Sequence, residues 1–178
     1  MRLREIEVTD ENTIIEMYEE YMSSELIPGI DRFEGIRDFE KLNQLNFEEW
    51  RDCLEKNKHE ENLPKSYSPH TLYLAVDDKD GIVGAIGIRW KKVPVLTTFG
   101  GLIGYSIRPS KRGNGYANEM LKLGLVKFKE KGINEILISC KDFNIASKKV
   151  IEKNGGIFQR SYYNKDDGYN YLIYIVKI

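Results

Sequence analysis

The chain has 178 residues, of which 41% are hydrophobic, and its 27 basic and 28 acidic side chains leave a net charge of −1. This length suits one domain with a hydrophobic core, and the charge balance, without any long basic run, argues against nucleic acid as a partner. Because no stretch reaches the roughly 18 consecutive apolar residues of a membrane span and the N-terminal residues lack the apolar core of a signal peptide, we expect a cytoplasmic protein with no membrane partner.

The first seventy residues predict a short strand followed by helices. Apolar residues alternate at the start of the chain, and from Glu11 they change to helical spacing. Pro28-Gly29 breaks this pattern, and Asn46 with Glu49 forms a capping signature before another helix. The predicted elements are a strand at Leu3–Val8, a helix at Glu11–Met22, a weaker helix near Gly35–Asn43, a helix at Phe47–Asn57 and a polar loop at Glu60–His70.

The second half predicts six strands and two helices. Two strands flank a turn at Asp77–Gly81, and the last two flank a turn at Asp166–Gly168. The aromatic tail alternates in a way typical of a strand buried on both faces, which we favour over a base-stacking surface. The predicted strands are Thr71–Val76, Ile82–Trp90, Leu102–Arg108, Glu135–Cys140, Ile157–Asn164 and Tyr169–Ile178, and the predicted helices are Gly115–Lys131 and Asn144–Gly155.

The resulting order is β-α-α-β-β-β-α-β-α-β-β, which indicates one mixed α/β domain over residues 1–178 with helices against a sheet. Cys53 and Cys140 lie far apart and lack a metal-ligand spacing, so we expect free thiols. His59 and His70 are the only histidines. This supply is poor for a histidine-rich metal site or a Ser/His/Asp triad, and we expect no metal.

The stretch "SKRGNGYANE" places two glycines and two cations directly before a predicted helix. It lacks the Walker pattern, and it also lacks the third glycine that the dinucleotide-binding fingerprint requires. It does fit Arg/Gln-x-x-Gly-x-Gly/Ala through Arg112, Gly115 and Ala117. Glycines remove the Cβ atoms that would keep a pyrophosphate from backbone N–H groups at a helix N-terminus. From this stretch alone, a glycine-rich turn with incidental cations stays open as the alternative.

The longer stretch "GGLIGYSIRPSKRGNGYANEMLKLGLVKFKEKGINEILISCKDFNIASKKVIEKNGG", Gly100–Gly156, resembles the GNAT superfamily of acetyl-CoA-dependent N-acetyltransferases. It is similar to a bacterial subgroup of predicted acetyltransferases with "GGHIGYSVRPSERGKGYA". The resemblance covers the chain from about Thr71 to its end, and the first 70 residues match only in outline. It implies an α+β fold of the GNAT type, with a mixed, mostly antiparallel sheet flanked by helices.

The resemblance also implies a site for acetyl-CoA as co-substrate. The pantetheine arm would lie along the strand before the glycine-rich turn and contact the side chain of Asn144, which is also a candidate helix cap. Lys149 would reach a nucleotide phosphate, although a solvated lysine is the alternative. The implied cofactor-binding residues are Tyr105, Ser106, Ile107, Arg112, Gly113, Asn114, Gly115, Tyr116, Ala117, Asn144, Ser147 and Lys149.

The implied chemistry is direct attack of an amine on the thioester, with backbone N–H groups near Tyr105–Ile107 stabilising the oxyanion. The sequence departs from the family at two catalytic positions. Ile151 stands where many GNAT enzymes carry a tyrosine that acts as general acid, and Leu102 stands where the subgroup often has a histidine. Ser147 is the candidate substitute for the acid. The remaining candidates for proton transfer are Glu25, Glu34 and Tyr105.

These observations lead to two hypotheses. The first is an N-acetyltransferase acting on an amine of a small molecule or a peptide, with an acetyl-CoA-binding core at residues 71–178. The helical residues 1–70, with the loop Ser23–Phe33, would cover the acceptor site. The second is a CoA-binding sensor or interaction module with little transferase activity, which the two departures favour. A homodimer is an expectation from the superfamily.

Overall fold

The structure, a computed structural model, describes residues 1–178 and has seven strands and four α-helices in the order that the sequence predicts. Shorter 3-10 turns connect several of them. The strands are β1 (Arg2–Arg4), β2 (His70–Asp77), β3 (Gly81–Arg89), β4 (Ile103–Ile107), β5 (Glu135–Lys141), β6 (Gly156–Asn164) and β7 (Tyr169–Lys177). The helices are α1 (Glu11–Ser23), α2 (Phe47–Asn57), α3 (Tyr116–Glu130) and α4 (Ile145–Lys153).

The strands form two antiparallel sheets, one in the order β1-β2-β3-β4 and the other in the order β5-β7-β6. The sheets meet where the backbone N–H of Leu102 donates to the carbonyl of Leu137 at 2.7 Å. Beyond this bond β4 and β5 are not paired. A wedge-shaped gap therefore opens between the two strands, with α3 connecting them at one side.

Helices cover both faces of the first sheet. The side chains of α1 and α2 pack with Leu72, Leu74 and Ala85 in one core, while those of α3 and α4 pack with Ile86 and Ile88 in the other. Gly124 lets α3 lie close to the sheet, since a Cβ there would come within 2.7 Å of the Cδ1 of Ile86. The fold is thus the predicted α+β arrangement of helices around a mostly antiparallel sheet.

The predicted first strand, Leu3–Val8, is wrong over its second half, because β1 ends at Arg4 and Val8–Asp10 form a 3-10 turn. The cause is the Asp10 carboxylate, which accepts from the Glu7 N–H at 2.7 Å and from the Arg4 guanidinium at 2.6 Å. These bonds turn the chain into α1. The weak helix expected near Gly35–Asn43 is likewise a 3-10 segment, Arg37–Asn43. The strand predicted from the aromatic tail is β7, which lies between β5 and β6.

Candidate functional site

A cavity of about 430 Å³ occupies the gap between β4 and β5. Its walls are β4, the end of β5, the glycine-rich turn, the start of α4 and part of the loop before Gly35. Most of the residues that the sequence predicts for cofactor binding line this cavity: Tyr105, Ser106, Ile107, Arg112, Gly113, Gly115, Tyr116, Ala117, Asn144 and Ser147. Lys149 lies outside the lining, as does Asn114, whose side chain donates to carbonyls of the turn itself.

The glycine-rich turn presents a row of free backbone donors to this cavity. Gly113 and Gly115 both have φ of 82°, the left-handed region that glycine enters without steric cost. No backbone N–H from Gly113 to Ala117 donates to an acceptor in the protein. A Cβ at either glycine would meet no protein atom within 4 Å, so the space beside these donors is open. Free N–H groups at the start of α3, next to the positive end of its dipole, fit an anionic ligand.

Two carboxylates on neighbouring elements hold the turn in place. Asp80, between β2 and β3, accepts hydrogen bonds from the Tyr116 hydroxyl and from the Lys111 ammonium. Glu20 of α1 accepts from the guanidinium of Arg108 and from the backbone N–H of Ser110. The hydrogen bond to Asp80 raises the pKa of Tyr116 to about 12, so this hydroxyl remains a donor at neutral pH.

Arg112 is the cation of the turn that remains available to a ligand. Its Nε donates to the Ile107 carbonyl at 3.3 Å, and it has no acidic partner. Lys111, in contrast, lies 3.3 Å from Asp80. The loop therefore keeps one guanidinium beside its free N–H groups, which suits a pyrophosphate.

The register of β4 decides which of its backbone groups face the gap. The Leu102 carbonyl accepts from Arg89 of β3, and the Arg108 N–H donates to Val83 of β3. Because groups alternate along an antiparallel ladder, the backbone groups of Ser106 bond to β3, while those of Tyr105 face the gap. Ser106 contributes a wall, and its hydroxyl accepts from Tyr21 of α1 at 2.9 Å.

The first turn of α4 forms the opposite wall. The Oδ1 of Asn144 accepts from the Ser147 N–H at 3.0 Å, which caps the helix and leaves the side-chain NH₂ group without a partner in the protein. The Ser147 hydroxyl lies 3.2 Å from the hydroxyl of Tyr105, which reaches across the gap from β4. Burial raises the pKa of Tyr105, and it raises the pKa of the neighbouring Cys140 thiol to about 11, so both groups remain protonated at neutral pH.

The two positions that depart from the family motif belong to the core. Ile151 is 0% exposed and Leu102 is 3% exposed. Neither side chain lines the cavity. Of the acidic residues considered from sequence, Glu34 lines the cavity, whereas Glu25 is exposed outside it.

The loop before Gly35 lies directly over the gap, and two features that sequence reasoning missed hold it there. Lys141, at the end of β5, is 4% exposed; its ammonium donates to the Gly29 carbonyl at 2.7 Å and to the Glu34 carboxylate at 3.1 Å. Gly35 rests on the β4 backbone, since a Cβ there would lie 2.5 Å from the Tyr105 nitrogen. In the sequence, the only indication of this contact is a glycine after a charged loop, and it does not show which segment the glycine contacts.

A sheet that opens beside a helix N-terminus with free N–H groups is the arrangement expected of the acyltransferase fold that the sequence resembles. The family model described as "Acetyltransferase (GNAT) domain" matches residues 1–157. The chain belongs to this family, and its members are N-acetyltransferases. Comparison with curated proteins gave no match.

Solved structures of N-acetyltransferases share this fold at low sequence identity. A spermidine N-acetyltransferase SpeG chimera from Vibrio cholerae and hSSAT is 13% identical with a TM-score of 0.62, covering 99% of this chain and 96% of that one. An acetyltransferase from Salmonella typhimurium, described as modifying the N-terminal serine of ribosomal protein L7/L12, is 14% identical with a TM-score of 0.64, covering 99% and 94%. RimL, a ribosomal L7/L12 alpha-N-protein acetyltransferase in complex with coenzyme A, is 19% identical with a TM-score of 0.60, covering 99% and 93%.

None of the helices combines the length and the apolar composition that crossing a bilayer requires. No group of three or more His, Cys, Asp or Glu side chains is placed to hold a metal ion.

Proposed function

We propose that this protein is a cytoplasmic, acetyl-CoA-dependent N-acetyltransferase that acts on an amine of a small molecule or a peptide. The observation that carries the proposal is the row of unpaired N–H groups from Gly113 to Ala117, which opens onto a cavity that continues along β4. The described structural neighbours acetylate spermidine or a ribosomal protein, so amines of both sizes occur on this fold. Two free cysteines are in keeping with a reducing compartment.

The residues present fit acetyl-CoA as a substrate. The pyrophosphate would accept hydrogen bonds from the turn and from Arg112, and the pantetheine amides would bond to the gap-facing groups of β4, as a missing strand would. The free NH₂ of Asn144 would donate to a pantetheine carbonyl. Lys149 would meet a nucleotide phosphate only outside the cavity, since it is not part of the lining.

Transfer in this site is a direct attack. The neutral amine forms a bond to the thioester carbon, the bond from that carbon to sulfur breaks, and the electron pair leaves with the sulfur. An amine with a pKa near ~10.4 must first lose a proton, and a thiol with a pKa near ~8.5 is a fair leaving group at neutral pH. The Tyr105 N–H faces the gap and is our candidate donor to the oxyanion.

We assign to the hydroxyl of Tyr105 the role that a tyrosine on α4 has in many GNAT enzymes. It reaches the α4 wall at Ser147, and its raised pKa keeps it a hydrogen-bond donor to the departing sulfur. Because burial raises that pKa above its ordinary value, the hydroxyl stabilises the thiolate by a hydrogen bond and need not give up its proton. Ser147 then orients Tyr105, and Glu34, which lines the cavity but is paired with Lys141, is the remaining acidic candidate for receiving the proton of the amine.

Isothermal titration with acetyl-CoA, followed by an assay of CoA release with a panel of amines, tests the proposal. We expect binding by the native protein and faster CoA release with at least one amine. Tyr105→Phe should bind acetyl-CoA normally and lower kcat by about tenfold or more, whereas Ser147→Ala should lower it less. Binding without release by any amine would favour the CoA-binding module, and no binding by folded protein would refute both.

A further inference from the structure

A second cavity, of about 690 Å³, lies on the α1–α2 side of the first sheet. Its floor is formed by Gly87 and Arg89 of β3, and its walls by the 3-10 segment after Gly35, the end of α2 and the loops around Ser66 and Val95. Gly35 lines both this cavity and the gap between β4 and β5. Gly35, whose backbone lies against Gly104 and Tyr105 of β4, is therefore the wall between the second cavity and the gap.

Arg89 places a positive charge at the floor of this cavity. Its neighbour Ile88 packs in the α3 core, so the alternation along β3 directs Arg89 to the opposite face. The guanidinium forms no hydrogen bond and no ion pair; burial, the largest effect on it, lowers its pKa, and the charge of Asp38 opposes this effect. Arginine stays protonated even so. Arg89 is half-buried, so its charge is partly removed from water without a hydrogen-bonded partner, and such groups are normally paired in folded proteins.

The acidic residue near Arg89 is Asp38, and its carboxylate already has hydrogen-bond partners. Asp38 approaches the Nε2 of His70 at 3.1 Å and accepts from the side chain of Asn57 at 3.3 Å. Burial opposes ionisation of Asp38, but the hydrogen bond to His70 and the neighbouring charges, that of Arg89 among them, outweigh it, and the pKa of Asp38 is lowered. The other ring nitrogen of His70 faces the Ser68 carbonyl at 3.3 Å, so neither nitrogen is free to serve as a base.

The other charged residues around this cavity differ from Arg89. Arg37, which also lines it, is 71% exposed and lies 3.6 Å from Asp31. Glu40 and Lys41 are exposed on the rim. Arg89 is therefore the half-buried guanidinium of this cavity to which no group of the protein is hydrogen-bonded, and one guanidinium balances one negative charge.

We propose that Arg89 binds a carboxylate of the acceptor, so that the substrate is an amine that also carries a carboxylate, such as an amino acid or a short peptide. This inference rests on the proposed function. The planar guanidinium fork matches a carboxylate in two parallel hydrogen bonds. A carboxylate on Arg89 leaves the rest of a small substrate to extend past Gly35 toward the gap, where the thioester is expected.

Binding and transfer are measured separately to test this. The panel contains the common amino acids and Gly-Gly, the carboxamide of each, spermidine as an amine without a carboxylate, and acetate as a carboxylate without an amine. Binding is read as a rise in Tm of the complex with coenzyme A, which cannot react. Transfer is read as CoA release from acetyl-CoA. Both are measured for the native protein, Arg89→Gln, Arg89→Lys and the control Arg37→Gln.

We expect at least one carboxylate-bearing amine to raise Tm and its carboxamide to bind about tenfold or more weakly. Arg89→Gln should erase this preference, Arg89→Lys should restore part of it, and Arg37→Gln should keep it. Because Arg89 has no partner, Arg89→Gln should fold with a Tm equal to or above that of the native protein.

The inference is overturned if no carboxylate-bearing amine raises the Tm of the native protein, if the preference survives in Arg89→Gln, or if acetate alone binds equally well. Transfer to spermidine without binding of the acids would leave the proposed transferase intact and reject the carboxylate. Binding of an acid through Arg89 without any CoA release would support the carboxylate site and reject the proposed transferase.

Discussion

The two glycines at the ends of α3 allow a direct test of the anion-binding turn. Gly115, before the helix, has φ of 82°, and Gly132, after it, has φ of 73°; a Cβ at either position would meet no protein atom within 4 Å. Alanine at either place therefore carries only the strain of the left-handed region, about 1–2 kcal/mol. For a chain of this size we expect each variant to lower Tm by about 2–8 °C.

The effects on ligand binding should differ, because a Cβ at Gly115 would stand beside the row of unpaired N–H groups. Displacing a phosphate from even one such donor removes a charge-assisted hydrogen bond of about 1.5–3 kcal/mol. Gly115→Ala should therefore raise the Kd for acetyl-CoA by about ten- to a hundredfold. Gly132→Ala, with the same strain at the other end of the helix, should leave the Kd within about twofold.

Titration calorimetry on both variants, with Tm measured in parallel, separates the two contributions. Native affinity in a folded Gly115→Ala variant would mean that the turn does not hold phosphate. Equal loss of affinity in both variants would mean that the helix as a whole, and not its N-terminal donors, governs binding. Either result would refute the argument from the free N–H groups.

Three further predictions concern the contacts that hold the glycine-rich turn, the loop over the gap and the start of α1. Asp80→Asn should weaken acetyl-CoA binding by about fivefold in titration calorimetry with little change in Tm, because it loosens Tyr116 and the turn. Lys141→Met should cost about 2 kcal/mol of unfolding free energy, seen as a fall in Tm of about 4–8 °C, because its two buried hydrogen bonds are lost. The hydrogen bond from Arg4 lowers the pKa of Asp10, so its stabilisation is complete above the ordinary pKa of ~3.9 and is lost as pH falls further; urea unfolding should show the deficit of Asp10→Asn at pH 7 shrinking below about pH 4.

The features that could be predicted from the sequence are those that interactions between neighbouring residues determine. The glycines around Asn114 need no distant partner to adopt their turn, and Asn46 and Asn144 cap helices within three residues of themselves. The element order follows for the same reason, because periodicity and turn residues are local. The binding of acetyl-CoA by these residues stays a prediction.

What could not be predicted depends on contacts between distant segments. Lys141 reads as one more charged residue after a strand, yet it is buried because Gly29 and Glu34 fold over it. The first strand was predicted too long because the alternation of apolar residues says nothing of the Asp10 carboxylate that ends it. Arg89 gave no signal either, since a terminal arginine on a strand is ordinarily solvated.

The same distinction separates the two halves of the candidate reaction. In the proposed reaction, phosphate recognition would use backbone groups of one continuous turn, so a short motif is enough to predict it. Proton transfer and acceptor recognition would use side chains that β4, α4 and the N-terminal loop bring together from far apart, so their motif positions could change while the site persists. Ile151 and Leu102 illustrate this, because both are packed in the core and neither leaves an empty place in the cavity. The hydroxyl of Tyr105 approaches from the opposite wall, so the proposed site keeps a hydrogen-bond donor for the departing sulfur although the usual tyrosine is absent.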